Sequence, residues 1–478
     1  MTLTHIRLSR RQALGVAAGG ALGAVALHLG LDEISSTPAA AIKSGGWPSP
    51  LSTPRGLAAH LLRRAGFGYT EADLEAATAM SYDDLVDKLV NQQAEPLPAP
   101  ADVTNRTMLA SAWYTHMATT AAQFPERMTL FWHGVLTGDF RNSARVPFVY
   151  QQNVLYRSAG LSNLRGLLSS VTRDPLMMRY LNLDASTAAS PNENFARELM
   201  ELFTLGPGNY SETDVREGAR ALSGLRIQLF DATGTRTAAP RYSKSNPQAY
   251  VDQINSLVSS GATFRGAVVP RVHDPGGKTF LGHTGNLGPD DVIDIVLAQP
   301  SCAPFVTRRA MTFFAAPNPS AADVNAVAAQ FRASNYDVRT LMRAIFRSSA
   351  FTAPSNYRSL MRSPTDYMVA AMRALNRPEL ATTAARSSAG MDQVLYDPPN
   401  VAGWPSNSGW ISSSSLLARV NFATAATART AAFPDVSAAV RTQLDSVLGT
   451  DTATALTAAR TDADRWFTLL ASPDFHLK

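Results

Sequence analysis

Residues 191–206 read PNENFARELMELFTLG, and this stretch has the features of one amphipathic helix. Pro191 suits a first helical turn, and Gly206 suits a stop after the last turn. At about 100° per residue, the polar and apolar side chains fall on opposite arcs. The polar arc contains Glu193, Asn194, Arg197, Glu198 and Glu201. The stretch therefore predicts a helix that buries one face and groups three carboxylates with an amide and a guanidinium on the other.

Two interpretations of this polar arc remain open from the sequence. In the first, it is a solvent-exposed face on which Glu193 and Arg197 form an i,i+4 pair. In the second, Glu198 and Glu201 are catalytic carboxylates, and Arg197 and Asn194 bind substrate. Because amphipathic segments flank the helix on both sides, we expect Glu198 and Glu201 to be partly buried.

Composition narrows the class of protein. The chain has 478 residues, of which 45% are hydrophobic and 17% are charged, with a formal net charge of +5. This hydrophobic fraction is enough for a substantial core. The positive charges are scattered along the chain rather than gathered into a tract with aromatic residues, which argues against nucleic-acid binding.

The N-terminal segment predicts export. Arg10 and Arg11 precede a Gly- and Ala-rich apolar run, and Ala39 to Ala41 offer a small-residue cleavage site. These features are typical of a bacterial twin-arginine signal peptide, which we assign to residues 1–41. Residues 42–52 then form a linker. We expect a periplasmic, cell-surface or extracellular protein that has no stable transmembrane anchor after processing.

Helical periodicity dominates the rest of the chain. Residues 53–474 predict a single helical domain, and residues 225–288 form an irregular, loop-rich insertion within it. Residues 226–230 alternate in the manner of a short strand. The predicted fold class is all-α: a large multi-helix single domain with one loop-rich insertion that carries one or two short strands. The most regular helical segments lie at 145–158, 161–172, 174–183, 289–299, 301–315, 320–334, 336–350 and 363–376.

Three further groups of residues are candidates for function. His133 follows Trp132 on an apolar helix, so it is either a core histidine or a partner of Glu198 and Glu201 in proton transfer or metal binding. The second and third groups lie in loops. They are His273, Asp274 and Lys278, and the pair Trp404 and Trp410.

Each loop group has a structural alternative. Lys278 and nearby backbone amides suit an anionic ligand such as sulfate, phosphate or a carboxylate, but Asp274 also suits a turn that bonds its own backbone. Trp404 and Trp410 suit a platform on which a sugar ring stacks, but two tryptophans also commonly attach an irregular loop to the core.

Segments spread along the chain resemble the bacterial family called "domain of unknown function 1800". The segments that carry the resemblance are 60–68, 131–133, 191–206, 214–222, 273–282, 398–405 and Trp410. The resemblance implies an exported, helix-rich protein, often encoded beside a sulfatase-like exported family. Val135 stands where the family usually has a second histidine after Phe-Trp-His, which removes half of a His-x-His metal pair.

The sequence thus leaves two functional hypotheses. The first is an exported hydrolase or other enzyme that acts on a cell-surface or environmental polysaccharide, with Glu198, Glu201 and His133 as its catalytic groups. The second is a non-catalytic exported scaffold or accessory partner of a sulfatase-like exported protein. The sequence names no cofactor, and it leaves open whether a metal ion is bound.

The export hypothesis predicts that the twin arginines are essential. Replacing Arg10 and Arg11 together by lysine should retain the full-length protein in the cytoplasm, because the export machinery recognises the arginine pair. Cell fractionation and immunoblotting would measure this. Normal appearance of processed protein outside the cytoplasm would contradict the assignment.

Overall fold

The computed structural model describes residues 48–143, 146–428 and 432–478, and the fold is mainly helical. The predicted signal peptide lies outside the described residues. None of the described helices combines the length and the apolar composition needed to cross a membrane.

Helices pack against one another through the first part of the described chain. Polar side chains cap several of them: Thr70 and Asp73 form a capping box, and Asp174 caps a helix that starts with Pro175. The α-helices before residue 190 are α1 (Pro54–Ala65), α2 (Glu71–Thr78), α3 (Tyr82–Val90), α4 (Arg106–Thr119), α5 (Gln123–Val135), α6 (Phe148–Ala159), α7 (Leu164–Thr172) and α8 (Pro175–Tyr180).

The stretch 191–206 is helical, as predicted, but its geometry differs from a regular α-helix. Helix α9 covers only Asn194–Glu198, and a π-helix continues it over Leu199–Thr204. The helix starts three residues later than Pro191 suggested because Asn192 makes a turn whose side-chain oxygen accepts the Asn194 N–H at 3.0 Å. Four residues of the predicted apolar arc are buried and Leu202 is half-buried, while Met200 and Thr204, which lie outside that arc, are buried as well.

Residues 225–288 contain more regular structure than the sequence predicted. Strands β1 (Leu225–Phe230) and β3 (Thr263–Val268) pair antiparallel, and β2 (Arg236–Thr237) joins the other edge of β1. Helix α11 (Pro247–Ser259) connects β2 to β3, and β4 (Lys278–Phe280) with β5 (His283–Gly285) forms a hairpin.

The strand β3 was missed because Gly266 lies in its middle. The structure shows why glycine is there: a Cβ at this position would lie 2.5 Å from the sulfur of Met178. The Gly266 N–H also donates to the Arg173 carbonyl at 2.7 Å, so a close approach to the helical body fixes the sheet.

The remaining helices follow the predicted segments closely up to residue 376. They are α10 (Glu212–Leu222) before the sheet, then α12 (Pro289–Ala298), α13 (Cys302–Phe314), α14 (Ala321–Ala333), α15 (Val338–Arg347), α16 (Ser349–Thr352), α17 (Pro364–Leu375), α18 (Ala381–Ser387), α19 (Ser413–Thr427), α20 (Val436–Leu444), α21 (Thr450–Ala458) and α22 (Asp462–Ala471).

Helix α5 lies between the two large apolar clusters of the described residues. Phe131 packs into the cluster that contains α9, α13 and α15, whereas Leu130 packs into the cluster of α4, α17 and α22. Every residue of α5 except Gln123 and Gly134 is buried. The most enclosed helix is therefore α5, and the 191–206 helix lies with one face on the core.

The insertion contains the segment we expect to be most open to proteolysis. Residues 233–246 are almost all exposed, and Lys244 lies in a turn there, whereas Lys278 is 99% buried. Cleavage needs local opening, which an exposed loop allows at little free-energy cost. Endoproteinase Lys-C at low ratio should therefore cut the described chain first after Lys244 and leave the Lys278 bond intact, as measured by intact-mass spectrometry. A first cut after Lys88, in α3, or after Lys278 would show that this segment is not the weakest.

Candidate functional site

The π-helix changes the spacing of side chains on the face that carries Glu198 and Glu201. Its extra residue per turn is visible in the Leu205 N–H, which donates to the carbonyl five residues earlier, at Met200, over 2.8 Å. Short π-helical turns inside α-helices are often associated with functional sites. The two glutamates lie at the start of this segment, and both are partly buried, as the sequence predicted.

The π-helical geometry leaves the carbonyl of Leu202 without a donor in its own helix, and a side chain of another helix bonds to it. The residue five positions after Leu202 is Pro207, which has no N–H to donate to the Leu202 carbonyl. The guanidinium of Arg309, on α13, donates to that carbonyl instead. Arg309 is partly buried, and burial lowers its pKa to about 10. The contact therefore links the glutamate helix directly to α13.

Glu198 and Glu201 occupy different environments. Glu198 has no hydrogen-bond or ion-pair partner within the described residues; burial, then the charge of Glu201, raises its pKa, and Arg197 opposes that shift. Glu201 accepts a hydrogen bond from the hydroxyl of Tyr210. One carboxyl is thus biased towards the protonated form, while its neighbour is held as a hydrogen-bond acceptor.

Two tyrosines complete this surface. The pKa of Tyr210 rises to about 12, mainly through burial and then through its hydrogen bond to Glu201. Burial likewise raises the pKa of Tyr180, with further contributions from the charges of Asp139 and Glu198. Both phenols therefore stay protonated at neutral pH, with the Tyr210 hydroxyl donated to Glu201 and Tyr180 within the field of the Glu198 charge. We call Glu198, Glu201, Tyr180 and Tyr210 the carboxylate face.

The other polar residues of the predicted helix lie at the edge of this face. Arg197 forms a bidentate pair with Glu212, with both N–O distances at 2.7 Å, and a longer contact of 3.3 Å with Glu193. This engagement leaves its guanidinium directed towards protein carboxylates. Asn194 is exposed at the first residue of α9.

The structure places His133 in the core and makes no contact between it and the two glutamates. Its Nε2 accepts the backbone N–H of Tyr396 at 3.1 Å, and its ring packs against Trp113, Tyr396 and Trp404 at centroid distances of 5.1–5.3 Å. Burial lowers the pKa of His133 to about 3. The geometry matches the core-histidine interpretation.

The loop of His273, Asp274 and Lys278 is fastened to α10. The Lys278 ammonium donates to the carbonyls of Asp274 and Gly276 at 2.7 and 2.9 Å and to the Asn286 side chain at 3.3 Å. Its three protons are thus assigned within the protein, and the side chain is almost fully buried. The same loop is held by Arg220, which pairs with Asp274 at 2.7 Å.

His273 belongs to the same fastening. Its Nδ1 lies 2.8 Å from the Ser223 carbonyl, and Ser223 Oγ accepts the Asp274 N–H at 3.0 Å. Gly224, with φ +80°, allows this approach, because a Cβ there would lie 2.7 Å from His273. The observed contacts are those of a structural clamp, with no donors left on Lys278 for an anion.

Trp404 and Trp410 line a pocket of about 360 Å³ that lies between α5, α13 and the loop that contains them. Trp404 is partly exposed and packs on His133, whereas Trp410 is buried with Met361 and Leu477. Phe131 and Phe313 supply further apolar wall. Trp410 therefore attaches the loop to the core, Trp404 lines the pocket, and the sugar platform stays a prediction.

A buried ionic cluster forms the floor of the pocket. Asp366, the capping residue at the start of α17, accepts hydrogen bonds from Lys478 Nζ at 2.6 Å and from Arg127 Nη2 at 3.1 Å. Both cations also lie against the ring of Phe313, with Arg127 at 4.5 Å and Lys478 Nζ at 5.6 Å from its centroid. We call Arg127, Asp366 and Lys478 the floor cluster.

Within the described ranges, no group of three or more His, Cys, Asp or Glu side chains is arranged so that it could hold a metal ion. Cys302, the only cysteine of the sequence, is buried on α13, and burial raises its pKa to about 12.

Sequence reasoning missed several of these residues for identifiable reasons. Tyr210 lies beyond the glycine that ends the helix, and Tyr180 lies on another helix, so no periodicity relates either to Glu201. Asp366 has an ordinary capping position three residues after Ser363, and this local role conceals its contact with Arg127 and Lys478. The contact of Arg309 had one sequence signal: Pro207 has no N–H, so the Leu202 carbonyl needs a donor from elsewhere.

The fold and the site define a mainly helical protein with a carboxylate face and a separate aromatic pocket. The family described as "Protein of unknown function (DUF1800)" matches residues 60–477, and the chain belongs to that family. No curated protein and no solved structure matches the chain.

The buried position of His133 predicts a measurable dependence of stability on pH. In the folded protein its pKa is about 3, compared with about 6.5 when unfolded, so protonation below pH 6.5 favours the unfolded chain. Between pH 7 and pH 5 this residue should remove about 2 kcal/mol from the free energy of unfolding.

His133→Gln keeps an acceptor for the Tyr396 N–H but does not titrate. In urea unfolding at both pH values, the variant should therefore lose about 2 kcal/mol less than the unaltered protein between pH 7 and pH 5. The comparison is needed because His60 and His476 also have lowered pKa values through burial. An identical loss in both proteins would contradict the neutral, buried assignment.

Proposed function

We propose that this protein is an exported hydrolase that acts on polysaccharide, with the carboxylate face as its catalytic site. The observation that carries the proposal is the pairing of two neighbouring carboxyl groups in unequal environments. Glu198 is unpaired with a raised pKa, and Glu201 is held by Tyr210. Cleavage of a glycosidic bond requires one protonated and one ionised carboxyl group at neutral pH.

In this proposal each residue has a defined role. Glu198 donates its proton to the leaving-group oxygen as the bond breaks. Glu201 acts on the opposite side, either by activating water or by attacking the sugar, and the separation of the two carboxyls in the complex with substrate decides between these routes. Tyr210 orients Glu201, and Tyr180 donates a hydrogen bond to a sugar hydroxyl.

Two features support a sugar as the ligand class. The site is open on a partly exposed helix face, which a polymer can reach, and the separate pocket presents the ring of Trp404. Arg309 connects the two places, since it lines the pocket and also bonds the backbone of the residue after Glu201. A polymer that occupied the pocket with one unit could thus present a further bond to the carboxylates.

A non-catalytic role is the second candidate, and one observation favours it. Arg197, Asp274 and Lys278, which the sequence singled out for ligand binding, all make internal pairs instead. An exported scaffold or accessory partner of a sulfatase-like protein would need this rigidity but no free acid. Export through the twin-arginine route belongs to both candidates and remains a proposal.

The catalytic proposal predicts how two isosteric variants behave. The purified mature protein is assayed for release of reducing ends from a panel of neutral and acidic polysaccharides. Glu198→Gln and Glu201→Gln should each reduce the rate by about 10²-fold or more, because each removes a proton-transfer or nucleophilic group. Loss of Glu198 should also remove the alkaline limb of the pH–rate profile, since the rate falls as this acid loses its proton.

Glu75→Gln is the matched control, because this exposed carboxylate lies on α2, away from both sites. It should keep full activity, and all three variants should unfold at nearly the same temperature. Retained activity in Glu198→Gln, or a lack of activity on every polysaccharide in the panel, would favour the scaffold.

A further inference from the structure

Several side chains that line the Trp404 pocket have hydrogen-bond donors for which the described residues offer no acceptor. Lys478 Nζ donates to Asp366, and within the described residues no other group accepts from it. Arg309 uses one guanidinium nitrogen on the Leu202 carbonyl, and no described residue accepts from its other nitrogens. The indole N–H groups of Trp404 and Trp410 also have no acceptor among the described residues. A ligand that fits this pocket is therefore rich in acceptor oxygens.

The charge of the floor cluster points to an anionic ligand. Burial, and then the charges of Arg127, Arg64 and Arg362, lower the pKa of the Lys478 ammonium. Asp366 pairs with Arg127 and Lys478, and neither Arg64 nor Arg362 has an ion-pair partner among the described residues. Arg64 donates instead to backbone carbonyls, and Arg362 donates to the Gln443 side chain. The buried cationic charge around Lys478 thus exceeds the one carboxylate side chain that pairs with it, and a further anion would stabilise this region.

The aromatic walls point to a ring with an apolar face. Trp404 is fixed from behind by His133, at 5.1 Å between ring centroids. Its loop is also held close to α5, because Gly403 has φ +85° and a Cβ there would lie only 2.3 Å from the Gly134 carbonyl. A preformed aromatic surface reduces the entropic cost of binding. The volume of about 360 Å³ lies at the lower end of the range for small-molecule pockets.

We propose that this pocket binds an acidic sugar unit, a hexuronate, whose carboxylate pairs with Lys478 and Arg309 and whose ring stacks on Trp404. The charges and aromatic walls of the pocket indicate a ligand that has an anionic group and a ring. That this ligand is a sugar rests on the proposed function. The substrate polysaccharide is then an acidic one, and the pocket holds a unit beside the one that the carboxylate face cleaves.

Ligand-observed NMR with the mature protein tests the proposal using sodium D-glucuronate, its neutral methyl ester, D-glucose and inorganic sulfate. D-glucuronate should bind. The ester and glucose should bind at least about tenfold more weakly, because they lack the charge-assisted contacts. Sulfate should also bind more weakly, since it cannot stack on Trp404. Equal binding of glucuronate and its ester, or no binding of glucuronate, would overturn the proposal.

Variants assign the contacts. Lys478→Met should weaken glucuronate about tenfold and leave glucose unchanged, and Trp404→Ala should weaken both sugars. Lys244→Met, in the exposed loop, is the matched control and should change neither. If Lys478→Met does not fold, the comparison of the acid with its ester on the unaltered protein decides the same point. Unchanged glucuronate binding in a folded Trp404→Ala protein would overturn the stacking.

The double variant Glu198→Gln, Glu201→Gln separates this inference from the proposed function. It should bind D-glucuronate as the unaltered protein does, because neither glutamate lines the pocket. Binding without any hydrolytic activity in the unaltered protein would remove the proposed function alone. Hydrolysis of neutral polysaccharides without glucuronate binding would remove this inference alone.

Discussion

The ion pair between Arg127 and Asp366 is the contact on which the interior of this protein depends. Arg127 lies on α5, which is buried on nearly all sides, and a buried guanidinium is tolerated only with a paired and hydrogen-bonded partner. Asp366 supplies that partner from α17, and Lys478 binds the same carboxylate. Three distant parts of the chain are therefore held at one point, and breaking the pair would leave uncompensated charge in the core.

The same constraint recurs along α5 and shapes the pocket. Glu126, one residue before Arg127, is paired with Arg157 of α6 and accepts the Trp113 indole N–H at 2.9 Å. Through Trp113 and Asp366, these two successive charged residues both connect α5 to the cluster of α4, α17 and α22. The pocket lies where α5, α13 and the Trp404 loop meet above the Arg127–Asp366 pair, so its polar floor is a consequence of how the core charges are satisfied.

The carboxylate face follows from a backbone constraint. Pro207 cannot donate to the π-helical carbonyl of Leu202, and Arg309 takes that place from α13. The helix is thereby fixed against α13, while Glu198 and Glu201 stay partly exposed. Stability and a partly exposed pair of carboxyl groups are compatible here because the apolar arc and the Arg309 contact supply the attachment, and Glu198 takes part in neither.

Local signals in the sequence determined most of the helices, since capping residues, prolines, glycines and the 3.6-residue period act over a few positions. They also determined that Glu198 and Glu201 share a partly buried face. They did not determine strand β3, whose Gly266 is required by its close contact with Met178 on another element. They also did not determine the partners of Lys278, His133 and Asp366. Those partners lie far away in the chain, and only tertiary packing brings them together, since burial makes each polar group find a partner. The sequence thus determined which faces are polar, and the tertiary structure decided which polar groups remain free to act.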